Sequence, residues 1–154
     1  MEISSQVGRW SIRFDPELTR RVYANTPAST CECTDCINFR AAGAEAFSPP
    51  FLHLLNQLGI DPSKPAELCH YGASGEPMPT QGWFHLVGHL DGGEDAWQHT
   101  SETTHLLDPE PFLGIKSVGF TSRLSLVPEA FEGHPVIQLE FETTVPWVTA
   151  VPLA

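Results

Sequence analysis

The sequence predicts one α+β domain over residues 1–154: an antiparallel sheet of about five strands, with two or three helices packed on one face. Three observations predict it. Segments with helix start and stop signals crowd the N-terminal part of the chain. Segments that alternate apolar and polar residues fill most of the remainder. Fourteen prolines and twelve glycines divide the chain into short elements joined by many turns. A chain of 154 residues fits one domain and buries a core without disulfides.

The elements follow in order. Residues 7–14 alternate, with Trp10, Ile12 and Phe14 facing one way and Arg9, Ser11 and Arg13 the other, as in a half-buried strand. Asp15 and Pro16 then supply the N-cap and first position of a helix over 16–24. A second helix is expected over 34–46, with Ile37, Ala41 and Ala44 on one side. A third, over 49–58, opens on Ser48-Pro49-Pro50, carries a Phe51, Leu52, Leu54, Leu55 and Leu58 stripe, and ends at Gly59. Strands are then expected over 67–71, 83–90, 112–121 and 136–145, with the first three as consecutive neighbours. Residues 72–81 must turn. In the last strand Ile137, Leu139 and Phe141 oppose Gln138, Glu140 and Glu142, so one face should pack on the core and the other meet water. The long polar stretch 91–111 reads equally as a lid over a pocket or as a hairpin.

The net charge of −11 is unevenly spread. Residues 1–40 hold five basic and five acidic side chains, leaving three basic and fourteen acidic in 41–154. An acidic body repels phosphate backbones and anionic lipid, which argues against nucleic acid or a membrane surface as partner. A neutral or cationic small ligand, or a protein partner, suits it better. The first residues have no basic start and no apolar run, as a signal peptide would require. The expected location is therefore the cytoplasm, where cysteines serve metal binding or redox chemistry more often than structural disulfides.

The chain's most unusual chemistry is Cys31-Glu32-Cys33-Thr34-Asp35-Cys36, with a fourth cysteine at Cys69. Zinc takes four N or S ligands in a tetrahedron. Cys33-x-x-Cys36 has knuckle spacing, Cys31 offers a third thiolate, and Cys69 or the adjacent His70 offers a fourth. Neighbours on a strand face opposite ways, so only one of these two should ligate. A Cu(I) site is also compatible with clustered thiolates. The rival reading is a reactive Cys33 or Cys36 thiol at a helix N-terminus. A strand directly before the motif, as in thioredoxin-like enzymes, is not expected here. The bland reading makes the cysteines small core residues, and for Cys69 alone it is the simplest.

Most of the seven histidines are badly spaced for a shared ion. His85 and His89 share a strand face about 13 Å apart. His70 and His85 would meet only across a hairpin, with Glu67 nearby. A ligand pocket floored by Trp83 and His85 and capped by Trp97 is a further candidate, with His70 at its margin. No nucleophile elbow, phosphate loop, dinucleotide fingerprint or His-Glu-x-x-His motif is present.

Several phrases occur together in order: Trp10-Ser11-Ile12-Arg13-Phe14-Asp15-Pro16, Cys33-Thr34-Asp35-Cys36-Ile37-Asn38-Phe39, Leu58-Gly59-Ile60-Asp61, Gly82-Trp83-Phe84-His85-Leu86-Val87-Gly88 and Val145-Pro146-Trp147-Val148. In this the chain resembles an uncharacterised family of small bacterial proteins that carries the same run of phrases. The resemblance spans nearly the whole chain and implies a single-domain bacterial protein. That family has no assigned activity, so no catalytic residue carries over. The expected function is a non-catalytic binding or scaffold protein with a structural zinc-like cysteine site. The alternative is a small enzyme using Cys33 or Cys36, or a His70/His85 site under 91–111.

Overall fold

The computed structural model describes residues 1–101 and 105–150. Its sheet is antiparallel and has seven strands, two more than the pattern suggested. They are β1 (Ile3–Val7), β2 (Trp10–Phe14), β3 (Glu67–His70), β4 (Met78–Gly92), β7 (Glu110–Phe112), β8 (Ile115–Thr121) and β9 (Val136–Val145). A separate hairpin pairs β5 (Trp97–His99) with β6 (His105–Leu107). The extra strands come from glycine turns. Gly8 (φ 57°) and Gly114 (φ 77°) adopt left-handed backbone, so the chain reverses at each. Residues 78–81, expected to turn, instead extend β4.

Strand order is β1-β2-β4-β9-β8-β7, with β3 also pairing with β4. This corrects the expected neighbours. β3 does pair with β4, but β9 lies between β4 and β8. β2 and β3 share one edge of β4, pairing with residues 88–92 and 80–83 respectively. Among the described residues no strand pairs with 84–87 on that side, and α1 (Pro16–Ala24) fills the gap. Tyr23 Oη donates to the His85 carbonyl (2.8 Å) and accepts its N–H (3.2 Å). The Val87 N–H donates to Thr19 Oγ1 at 3.1 Å, and the Asp15 N–H to the Val87 carbonyl at 3.0 Å. A buried edge is thereby satisfied by a helix.

α2 (Thr34–Ala42) stops short of the expected end, at Gly43, and a 3₁₀ turn over Gly43–Ala46 follows. α3 (Pro49–Leu58) is capped by Ser48, whose Oγ accepts the Phe51 N–H. Gly59 ends it at φ 81°, and a Cβ there would sit 2.2 Å from the Pro16 carbonyl oxygen. Phe47 and Phe51 pack on Phe84 and Phe141 of the sheet, with ring centroids 5.2–6.1 Å apart. Each such ring contributes about 1.5–3 kcal/mol through burial.

The other face of β9 departs from expectation. Gln138 and Glu140 are buried rather than wet, at 1% and 4% exposure. The β5–β6 hairpin and residues 122–134 cover them: Trp97 Nε1 donates to Glu140 Oε1 at 2.7 Å, and the Ser125 N–H to Gln138 Oε1 at 2.8 Å. The 91–111 stretch is thus a hairpin docked on the sheet, and its residues 102–104 lie outside the described residues. Among the described residues, no helix is long and apolar enough to cross a membrane.

Candidate metal centre

The start of α2 positions two of the cysteines. Cys33 is its N-cap, in extended backbone, and its Sγ accepts the Cys36 N–H at 3.4 Å. Cys31 stands two residues upstream, where Arg40 donates to its carbonyl. Asn38 anchors the helix: its Nδ2 donates to the Pro146 carbonyl at 3.0 Å, and its Oδ1 accepts the Val148 N–H at 2.8 Å. The Sγ atoms of Cys31, Cys33 and Cys36 lie within 4.8 Å of one another. One tetrahedral zinc with bonds of 2.3 Å needs sulfurs about 3.8 Å apart, so the cluster is within about an ångström of that geometry.

His70 approaches from β3. The register sets His70 opposite Thr80. Its Nε2 lies 3.8 Å from Cys36 Sγ, and its Nδ1 lies 3.1 Å from Thr80 Oγ1. The Thr80 hydroxyl donates its one proton to the Met78 carbonyl at 3.1 Å. Thr80 Oγ1 therefore accepts from His70, which places the ring proton on Nδ1 and a lone pair on Nε2, toward the thiols. A metal-binding histidine is oriented through its second nitrogen in the same way. Burial also lowers the His70 pKa, against the pull of Asp35 and Glu67, and so favours the neutral, ligating form. The group that meets the 4.8 Å limit contains the three cysteines and not His70. A four-ligand shell therefore needs the exposed Cys31 and Cys33 side chains to move toward it.

The thiols influence one another. Burial and the neighbouring sulfurs push Cys36 up to about 12. Hydrogen bonds from Cys33, backbone first, pull Cys31 down. Without a cation, three thiolates this close repel each other. With a cation, the same closeness becomes a chelate.

Cys69 is not brought to this site. It pairs with Gln81, one step from His70 along the strand, and so points to the opposite face. There it lies close enough to Tyr71 to help raise the phenol's pKa, after burial. Of the two expected fourth ligands, His70 is the one near the cluster.

The expected grouping of His70, His85 and Glu67 does not form. His70 faces Thr80, and His85 pairs with Gln138. Alternation along β4 puts Thr80 and His85 on opposite faces. Glu67 Oε1 accepts the Leu68 N–H. Trp97 does fold back over the sheet, but its indole is committed to Glu140, and Trp83 Nε1 to the Ser125 carbonyl. His85 is 1% exposed and offers a ligand no accessible edge.

Thr80 and Asn38 were missed as supporting residues. Thr80 becomes visible only once the β3–β4 register is known. Asn38 had one available signal, a polar residue set between Ile37 and Phe39. Comparison of the chain with protein-family models, curated proteins and solved structures found no match.

Proposed function

We propose that this chain is a non-catalytic binding or scaffold protein whose Cys31, Cys33, Cys36 and His70 hold one structural zinc ion. The observation that carries the reading is three sulfurs within 4.8 Å of one another, with His70 Nε2 3.8 Å from one of them. Three thiolates and one imidazole match zinc's preference for N and S donors. Four protein ligands leave no open position for substrate, which favours a structural role over a catalytic one. The ion would join the loop before α2 to the short strand β3, and its binding free energy would add to folding. A reducing compartment such as the cytoplasm suits the free thiols. The acidic surface suits a neutral or cationic ligand or a protein partner over nucleic acid.

The enzyme reading has less support. With no cation bound, the Cys36 thiol is pushed up to about 12, which makes that one sulfur a poor nucleophile at neutral pH. His70 and His85 lie on opposite faces, so they do not form one acid–base site. The test compares the thermal unfolding of reduced, chelator-stripped protein with and without zinc. Zinc at 100 times its Kd should raise Tm by about 5–10 °C, and chelator should reverse the rise. An unchanged Tm, with every thiol titrating freely in the presence of zinc, would contradict the reading.

A further inference from the structure

Residues 27–33 form an exposed strap without regular secondary structure. One end is fixed at Thr26, which is buried and whose Oγ1 donates to the Val22 carbonyl at 2.8 Å. The other end is the cysteine cluster. Between them, Arg40 donates to the Cys31 carbonyl, while the Cys31 N–H turns inward to Ser29 Oγ within the strap itself. Hydrogen bonding to the body of the fold is therefore sparse.

The strap runs between two cavities. One, of about 810 Å³, has the strap as one wall, with Lys64, Pro65, Leu126 and Pro128 among the residues opposite. The other, of about 340 Å³, is bounded by Phe39, Ala44, Leu52 and Pro62. Ala28 lines both.

We infer that the metal centre is a redox-released clasp: oxidation of Cys33 and Cys36 to a disulfide expels the zinc, frees the strap and joins the two cavities. This rests on the zinc reading above. Cys31 and Cys33 are exposed and Cys36 is half-buried, so a small oxidant meets Cys33 before Cys36. A peroxide is the oxidant. The Cys33 thiolate attacks one oxygen of hydrogen peroxide, the O–O bond breaks, Cys33 becomes a sulfenic acid and hydroxide leaves. The Cys36 thiolate then attacks the Cys33 sulfur, the S–S bond forms, the S–O bond breaks and a second hydroxide leaves. Two solvent protons convert the hydroxides to water. The two thiolates have lost two electrons, and the peroxide has gained them. Zinc, left with Cys31 and His70, goes to solvent. The new disulfide lies within α2 and its cap, so among the described residues the bond from Arg40 is then the remaining tie from Cys31 to the body of the fold.

The experiment uses full-length Cys69→Ser protein, which removes the thiol outside the cluster. Backbone ¹⁵N order parameters are measured in the zinc-loaded reduced, zinc-stripped reduced and peroxide-treated states. Released zinc is followed with a colorimetric chelator, and disulfides are located by peptide mapping. Order parameters for residues 28–32 should fall from about 0.85 with zinc to below about 0.6 in the other two states. Each Cys33–Cys36 disulfide should release about one zinc, and thiol reductant with added zinc should restore order. Zinc retained under peroxide, zinc lost without that disulfide, or a strap equally ordered in all three states overturns the clasp and leaves the zinc site standing. Failure of the reduced protein to bind zinc overturns both.

Discussion

His70 and His85 belong to paired strands, yet they are wired in opposite senses. At His70, Thr80 takes the Nδ1 proton, and the Nε2 lone pair points at a thiol 3.8 Å away. At His85, Gln138 Oε1 also accepts the Ser125 N–H, while Gln138 Nε2 donates to Glu140. His85 Nε2, 2.9 Å from that oxygen, must therefore be the donor. The lone pair on His85 Nδ1 is buried with no partner among the described residues. One imidazole is presented to a cluster that could hold a cation. The other is locked into a core of indole, amide and carboxylate. Residue type alone does not separate them. What separates them is the face of the sheet and the partner of the second nitrogen.

The largest effect expected from this contrast concerns zinc. His70→Ala should weaken zinc binding by more than about 100-fold, beyond the range of an outer-shell change. His85→Ala should leave zinc affinity unchanged in competition titrations. Equal losses in the two variants would erase the distinction. The next effect is on stability. His85→Ala removes a buried ring that packs edge-on against Phe131 and bonds Gln138, and should cost about 2–4 kcal/mol in denaturant unfolding. Thr80→Val keeps the volume but leaves the His70 Nδ1 proton without an acceptor. It should weaken zinc binding about 10–100-fold, with Thr80→Ser close to wild type. A Thr80→Val protein that binds zinc normally would sink the tautomer argument.

The smallest effect is a pH dependence on the buried side. Burial raises the Glu140 carboxyl above its ordinary 4.5, although bonds from Trp97 and Gln138 pull the other way. A folded pKa above the unfolded one means that the folded state favours the neutral form. That stabilisation is complete below the unfolded value and is lost as pH rises through the folded one. Glu140→Gln should therefore match wild type in Tm near pH 4 and exceed it increasingly toward pH 8. Parallel curves across that range would show that the carboxylate is at no disadvantage in its pocket.

The same contrast marks how far the sequence can be read. α1 and α3 were legible because Asp15-Pro16 and Ser48-Pro49 are local start signals, and Gly59 a local stop. The cysteine trio was legible because its spacing lies within one turn of chain. The place of β9 was not, because insertion between β4 and β8 is decided by pairing distant in sequence. The burial of Gln138 and Glu140 was hidden for a related reason. Their alternation reads as a wet face, and the groups that cover them, Trp97 and Ser125, come from connecting segments. The choice between Cys69 and His70 depended on a one-residue register across the 72–77 turn, and a slip of one would have exchanged them.

The central claim is a Cys₃His centre that uses His70 and excludes Cys69. Its most direct test is metal analysis of protein purified without chelator, alongside the Cys36→Ser, His70→Ala and Cys69→Ser variants. The account predicts about one equivalent of zinc in wild type and in Cys69→Ser, and a large loss in both Cys36→Ser and His70→Ala. Less than about a tenth of an equivalent in reduced wild type, or zinc lost with Cys69→Ser and kept with His70→Ala, would contradict it.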